Sequence, residues 1–211
     1  MIHPYTELRF INQEIGYGVI ATRFIPRGTI TWAYDPLDRS FTPAQIQVMD
    51  KTFRDILHKY TYRDHEGQHV LCWDNARFVN HSFHSNCIST AYNFELAVRD
   101  IYPGEELTDD YGYLNALEPF ACLPEPNTRR THVMPDDLLH FYQEWDEKLI
   151  AAFHYLNKVD QPLAFLIDRA NKQKVAAVAG GQEPMDSILN CFYSEDESKM
   201  LVKEALLHSY A

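Results

Sequence analysis

Basic clusters, paired cysteines, internal repeats and long apolar runs are all missing from this chain. Without a stripe of lysines or arginines there is nothing to track a phosphate backbone, so direct nucleic-acid binding is not expected. No apolar run approaches the length of a membrane span, so a membrane partner is not expected either. The four cysteines, Cys72, Cys87, Cys122 and Cys191, are scattered without paired spacing, which predicts reduced thiols rather than a disulfide framework. The opening segment, residues 1–7, lacks a basic region followed by an apolar core, so no secretory signal is expected. These absences predict a soluble intracellular protein, cytoplasmic in the first instance, with a nuclear or host-delivered placement left open.

What is present supports a globular fold. The 211 residues are 45% hydrophobic, enough for one domain of ordinary size plus a smaller appendage. The formal charge of −11 divides nearly evenly between the two halves of the chain. An acidic surface attracts a basic partner, although acidity also serves solubility alone. Nothing in the sequence speaks to oligomeric state.

Short β-type runs separated by turns fill residues 5–34. Gly16-Tyr17-Gly18 and Pro26-Arg27-Gly28 are turn signals; residues 19–22 and 29–32 read as strands. Thr42 is a helix N-cap with Gln45 completing a capping box, and apolar spacing through Ile46, Met49, Phe53, Ile56 and Leu57 predicts one helix to about Lys59 with a buried face. Residues 60–62 and 69–73 form a predicted hairpin around Glu66-Gly67. Residues 91–98 and 106–108 are further strands. Beyond Tyr113, prolines 119, 124 and 126 mark a connector. From Pro135 the pattern turns helical, with an apolar stripe from Leu138 to Leu156 that should pack on the first part of the chain. A second helix is predicted within residues 162–179, and a third after Ser194, capped by Ser194 with Glu197. The fold class is α+β.

Two segments carry more information than the rest: Arg77-Phe78-Val79-Asn80-His81-Ser82 and Gly104-Glu105-Glu106-Leu107-Thr108-Asp109-Asp110-Tyr111. Taken singly, an Asn-His pair is a turn former, and a tyrosine after two aspartates is an ordinary half-buried ring. His81 with His84 offers too few ligands for a metal site. Gly16-Tyr17-Gly18 is not a dinucleotide fingerprint, because no third glycine follows and no helix opens after it.

In order and spacing these segments resemble the signature motifs of the SET-domain protein-lysine methyltransferases, RFxNHS and GEELxxDY. Residues 15–29 resemble that family's opening GxG strand-and-turn, and Asn86 falls where the family has an Asn. The resemblance covers roughly residues 5–118. It implies a β-clip of short sheets with a pseudo-knot, followed here by a degenerate post-SET connector over residues 119–134 and a helical C-terminal extension over residues 135–211. It implies S-adenosylmethionine as cofactor, with S-adenosylhomocysteine as product. The cofactor would be held by Gly16, Tyr17, Gly18, Asn80 and His81, and covered by Phe120 and Leu123. Tyr111 would be the catalytic tyrosine and Tyr62 a wall of the substrate channel. The substrate would be a lysine ε-amine in a basic protein or peptide, histone-tail-like in character.

The chain departs from the family at two places. Asp109 stands where an aromatic residue usually sets the number of methyl groups added; it either faces the lysine nitrogen or points away and leaves room for water. Phe83 follows Ser82 where a zinc-binding Cys is usual, and only Cys122 remains of the post-SET cysteines, so no zinc is expected. The alternatives are a catalytically inactive SET-like module that binds peptide or cofactor, and a metal-binding domain built on the histidines.

Overall fold

Hairpin geometry organises the first part of the chain. The computed structural model describes residues 1–210. β1 (Thr6–Asn12) pairs antiparallel with β2 (Gly16–Ala21). β3 (Ile30–Ala33) follows the Pro26–Gly28 turn. Next come β4 (Arg39–Phe41), α1 (Pro43–Gln47), α2 (Lys51–Tyr60), β5 (Thr61–Arg63) and β6 (His69–Leu71). β4, β6 and β5 form one antiparallel sheet with β6 in the middle. After a 3-10 turn at Asn75–Phe78 lie β7 (Asn80–His81), β8 (Cys87–Ser89) and β9 (Phe94–Ala97). β3, β9 and β8 make a second antiparallel sheet.

β10 (Thr108–Asp109) then runs parallel to β7, with Thr108 opposite Asn80 and Asp109 opposite His81. This pairing joins the two signature segments. A side chain fixes it from below: Asn86 Oδ1 accepts from Thr108 N (2.9 Å) and Asn86 Nδ2 donates to Glu106 O (2.8 Å). The remaining elements are β11 (Phe120–Ala121), β12 (His132–Val133), α3 (Asp137–Leu156), α4 (Lys172–Ala179) and α5 (Glu197–Tyr210). No described helix is long and apolar enough to cross a membrane.

The core has two parts. The smaller joins Val19, Ile25, Val79, Ile101 and Leu107 around the β7–β10 pair. The larger joins Ile30, Ile88, Phe94 and Leu96 of the β3–β9–β8 sheet to Trp145 and Phe153 of α3. The α3 stripe expected from spacing is therefore buried on the first part of the chain, each full-sized side chain contributing about 1.5–3 kcal/mol. Gly28 lets this helix come close. Its φ of +85° is left-handed, and an added Cβ would stand 2.6 Å from Tyr155 Cβ. Gln161 then stitches the helix end to the turn: its Nε2 donates to Gly28 O (2.7 Å) and its Oε1 accepts from Ile30 N (2.9 Å).

Several boundaries differ from expectation. The single helix predicted from Thr42 is two, because extended Asp50, a poor helix-interior residue, restarts the chain as the N-cap of α2. Only Ile46 and Leu57 of its predicted face are buried; Phe53 and Ile56 are exposed. The strand predicted over residues 91–98 begins at Phe94, because Asn93 takes φ +61° and turns the chain from β8. α4 occupies only Lys172–Ala179. Asp196, not Ser194, caps α5, accepting from Ser198 N (2.9 Å).

Gly28→Ala is expected to destabilise the protein by about 2–5 kcal/mol, combining left-handed strain with overpacking. Gly104→Ala, at φ +91° with nothing within 4 Å, should lose only about 1–2 kcal/mol. Equal losses in urea unfolding would show that α3 does not need the close approach.

Candidate active site

Tyr111 opens a 3-10 turn, Tyr111–Tyr113, directly after β10. Asp110 caps this turn: its carboxylate accepts from Gly112 N (3.0 Å), and its own N–H donates to the Tyr113 hydroxyl (3.0 Å). The backbone of Tyr111 is held from β7, where His81 Nδ1 accepts from Tyr111 N (3.1 Å). That bond puts the imidazole proton on Nε2, which is buried without a partner. Burial pushes the His81 pKa down to about 4, so the ring is neutral. The Tyr111 ring packs on His81 and Phe120, with centroids 5.4 and 6.3 Å away.

The Tyr111 hydroxyl donates to Val79 O (2.6 Å). Its one hydrogen is thereby committed, and its lone pairs remain for other groups. Burial and the nearby Asp109 raise its pKa above the usual phenol value, so it stays a phenol.

The expected cofactor residues gather around Asn80. Asn80 Nδ2 donates to Tyr17 O (2.9 Å) and to Glu106 Oε1 (2.6 Å). A Cβ on Gly18 would fall 2.2 Å from Glu106 Oε1 and 3.0 Å from Asn80 Nδ2, so glycine is needed there for close approach. With its amide hydrogens spent, Asn80 keeps its amide oxygen as an acceptor. That oxygen, the Glu106 carboxylate and the exposed Tyr17 ring suit a cationic amino group and an aromatic base. The residues fit S-adenosylmethionine. Gly16 opens β2 beside them.

Tyr111 also lines a cavity of about 500 Å³. Its walls include Trp32, Tyr62, Glu95, Asp109, Tyr111 and Tyr113, and Phe120 stands at its edge. Tyr62 meets Trp32 edge-on, with centroids 5.9 Å apart. Asp109 is among the residues that line the cavity. Its carboxyl is buried and pushed well above the usual carboxylate range, chiefly by desolvation and then by Glu95. The extension closes one wall. Asn115 Nδ2 donates to Cys191 O (2.8 Å) and Asn115 Oδ1 accepts from Tyr193 N (2.9 Å).

The connector is fastened by ordinary polar contacts. Glu125 Oε2 accepts from Ser82 Oγ (3.2 Å) and Phe83 N (3.1 Å), and His84 Nε2 donates to Pro126 O (2.6 Å). Arg130 pairs with Asp110 and with Asp137 of α3, while its guanidinium lies 4.4 Å from the Phe83 and Phe141 ring centroids. Gly112 leaves the room: a Cβ there would meet Arg130 Nη2 at 2.8 Å. Among the described residues no group of three or more His, Cys, Asp or Glu is placed to hold a metal.

Sequence reasoning singled out Tyr111, Asn80, His81, Asp109 and Tyr62, and the structure brings them together around one tyrosine. It passed over Glu106, Glu95, Glu125 and Arg130. Glu95 left one signal, a lone charge inside an otherwise apolar strand; Arg130 left none.

Arg130→Met is expected to cost about 3–5 kcal/mol near neutral pH, because it strands two buried carboxylates. The loss should shrink as pH falls and both carboxyls take up protons. A loss below 1 kcal/mol in urea unfolding would contradict this.

None of the curated proteins compared with the chain matches it. The family model described as the SET domain matches residues 16–112. The parallel pairing that sets Asn80 against Thr108 thus belongs to a SET domain, which occupies residues 16–112 of this chain.

Proposed function

We propose that the chain is an S-adenosylmethionine-dependent methyltransferase acting on the ε-amine of a lysine in a basic protein or peptide. The SET domain supports lysine-methyltransferase-like chemistry with that cofactor. One observation carries the reading further: Tyr111 lines an aromatic-walled cavity and packs on His81, whose neighbour Asn80 holds the Glu106 carboxylate in a cluster suited to a cationic amino group.

S-adenosylmethionine, when bound, supplies an electrophilic methyl group. The protein's part is orientation. Asn80, Glu106 and the backbone around Tyr17 and Gly18 would hold the cofactor's polar end; the peptide of His81 would meet the adenine edge. Phe120 and Leu123 would cover the base, without zinc. The Tyr111 oxygen, its hydrogen committed to Val79 O, offers lone pairs that can receive weak C–H contacts or an amine hydrogen. The amine must also be neutral. At a free pKa of about 10.4, losing its proton near neutral pH costs roughly 4 kcal/mol, which an apolar cavity reduces.

On this reading residues 5–118 carry the chemistry, 119–134 form the connector and 135–211 brace the substrate side. The net charge of −11 favours a basic substrate, histone-tail-like in character. The rival, an inactive SET-like module, would retain the groove and transfer nothing.

Calorimetry with S-adenosylmethionine, paired with transfer assays on basic proteins, separates the two. Tyr111→Phe should bind the cofactor within a few-fold of wild type and lose transfer by about 10²-fold or more. Absence of cofactor binding by the wild type would overturn the proposal.

A further inference from the structure

Glu95 lies in the middle of β9, the central strand of its sheet, opposite Trp32 on β3 and Ser89 on β8. Residues directly opposite share a face, and all three line the cavity. Glu95 is 8% exposed and Asp109 6%. Two carboxyl groups are therefore buried in the wall of one cavity. Neither has an ion-pair partner among the described residues; each has a neutral hydroxyl instead. Ser89 Oγ donates to Glu95 Oε1 (3.2 Å), and the Tyr113 hydroxyl contacts Asp109 Oδ1 (3.2 Å).

The Tyr113 contact bears on the protonation state. The phenol has one hydrogen, and Cys87 O, at 2.9 Å, is the nearer acceptor. A protonated Asp109 can supply the hydrogen for the longer contact. A second feature points to an occupant. The indole Nε1 of Trp32, a cavity-wall residue 7% exposed, is buried without a partner. Set opposite Glu95, it offers a donor to negative charge on the pair, directly or through water.

Resting on the methyltransferase reading, we propose that Glu95 and Asp109 act as a carboxylate pair that shares one proton, receives the entering ε-ammonium and accepts its proton. One N–H bond breaks and one O–H bond forms; the electron pair stays on nitrogen, and the pair passes from one proton to two. The neutral amine is then beside Tyr111 for methyl transfer.

Two like charges in so dry a site cannot both be kept. Desolvation raises Glu95 to about 7, and desolvation with Glu95's help raises Asp109 well above the usual carboxylate range, so the pair keeps one proton near neutrality. The cavity wall also carries Lys59, Arg63, Arg77, Asp64, Glu118 and the histidines His58, His65 and His69. Tyr62, Cys72, Cys87 and Tyr113 are weak acids pushed higher by burial. Asp110 is held by Arg130. The Met1 amino group, which lowers Glu95, is paired with Asp35 (2.8 Å). A lysine entering as an ammonium would meet a proton acceptor here that aromatic walls alone do not supply.

The test uses Glu95→Gln, read three ways. First, the wild-type pH profile of kcat/KM should rise through a neutral-range pKa; the variant should be about tenfold slower at pH 7, with its deficit closing as pH rises. Second, carboxyl carbon NMR of the free protein should show a side-chain carboxyl titrating near neutrality that disappears in the variant. Third, folding stability should respond. Because Glu95 is raised in the folded state, its favourable contribution is complete below the ordinary glutamate range and is lost as pH climbs towards 7. The variant should therefore gain on the wild type as pH rises from about 4.5 to about 7. An active wild type whose variant keeps the same pH profile overturns the pair alone. A wild type that transfers no methyl group to any basic protein overturns the reading beneath it, and the pair's role with it.

Discussion

The guanidinium of Arg130 joins three parts of the chain that are far apart in sequence. It neutralises Asp110, which caps the turn bearing Tyr111, and Asp137, which begins α3. Its flat faces rest on Phe83, from the Asn-His-Ser loop, and on Phe141. Arginine suits this place because a planar fork can pair two carboxylates in its plane while stacking above and below. The position of Tyr111 follows from it: the turn is capped by a carboxylate that would be an uncompensated buried charge without Arg130.

The same contact bears on the missing cysteines. A zinc cluster would bind the connector to the Asn-His-Ser loop through metal–sulfur bonds. In this chain Glu125 reaches that loop by two hydrogen bonds, and Arg130 stacks on Phe83, the residue standing in the cysteine position. Hydrogen bonds, ion pairs and an aromatic contact fasten the connector here. The helical extension adds a second brace on the cavity side, through Asn115 and residues 191–193. The two compartments beside Tyr111 are thus closed by different means.

Legibility from sequence followed the range of the interactions. The α3 stripe was readable because it is local periodicity, and Thr42 with Gln45 because a capping box spans four residues. Asn80, His81 and Tyr111 were readable through the family motif rather than through geometry, since nothing local foretells a parallel pairing between residues 80 and 108. The exposed Phe53 and Ile56 show the opposite case: spacing promised a buried face, but the packing of distant elements leaves that side of α2 uncovered. Asp109 was noticed as an anomaly, yet its partner Glu95 was not. The two are fourteen residues apart and line one cavity only because separate sheets converge on it.

The account as a whole turns on Tyr111 mediating between a cationic cofactor and a cationic substrate that has lost its proton. Incubating the protein with radiolabelled S-adenosylmethionine and basic proteins, followed by mapping of the labelled residue, tests this most directly. The account predicts label on a lysine ε-nitrogen, and none with Tyr111→Phe. Cofactor binding without any labelled lysine would contradict it.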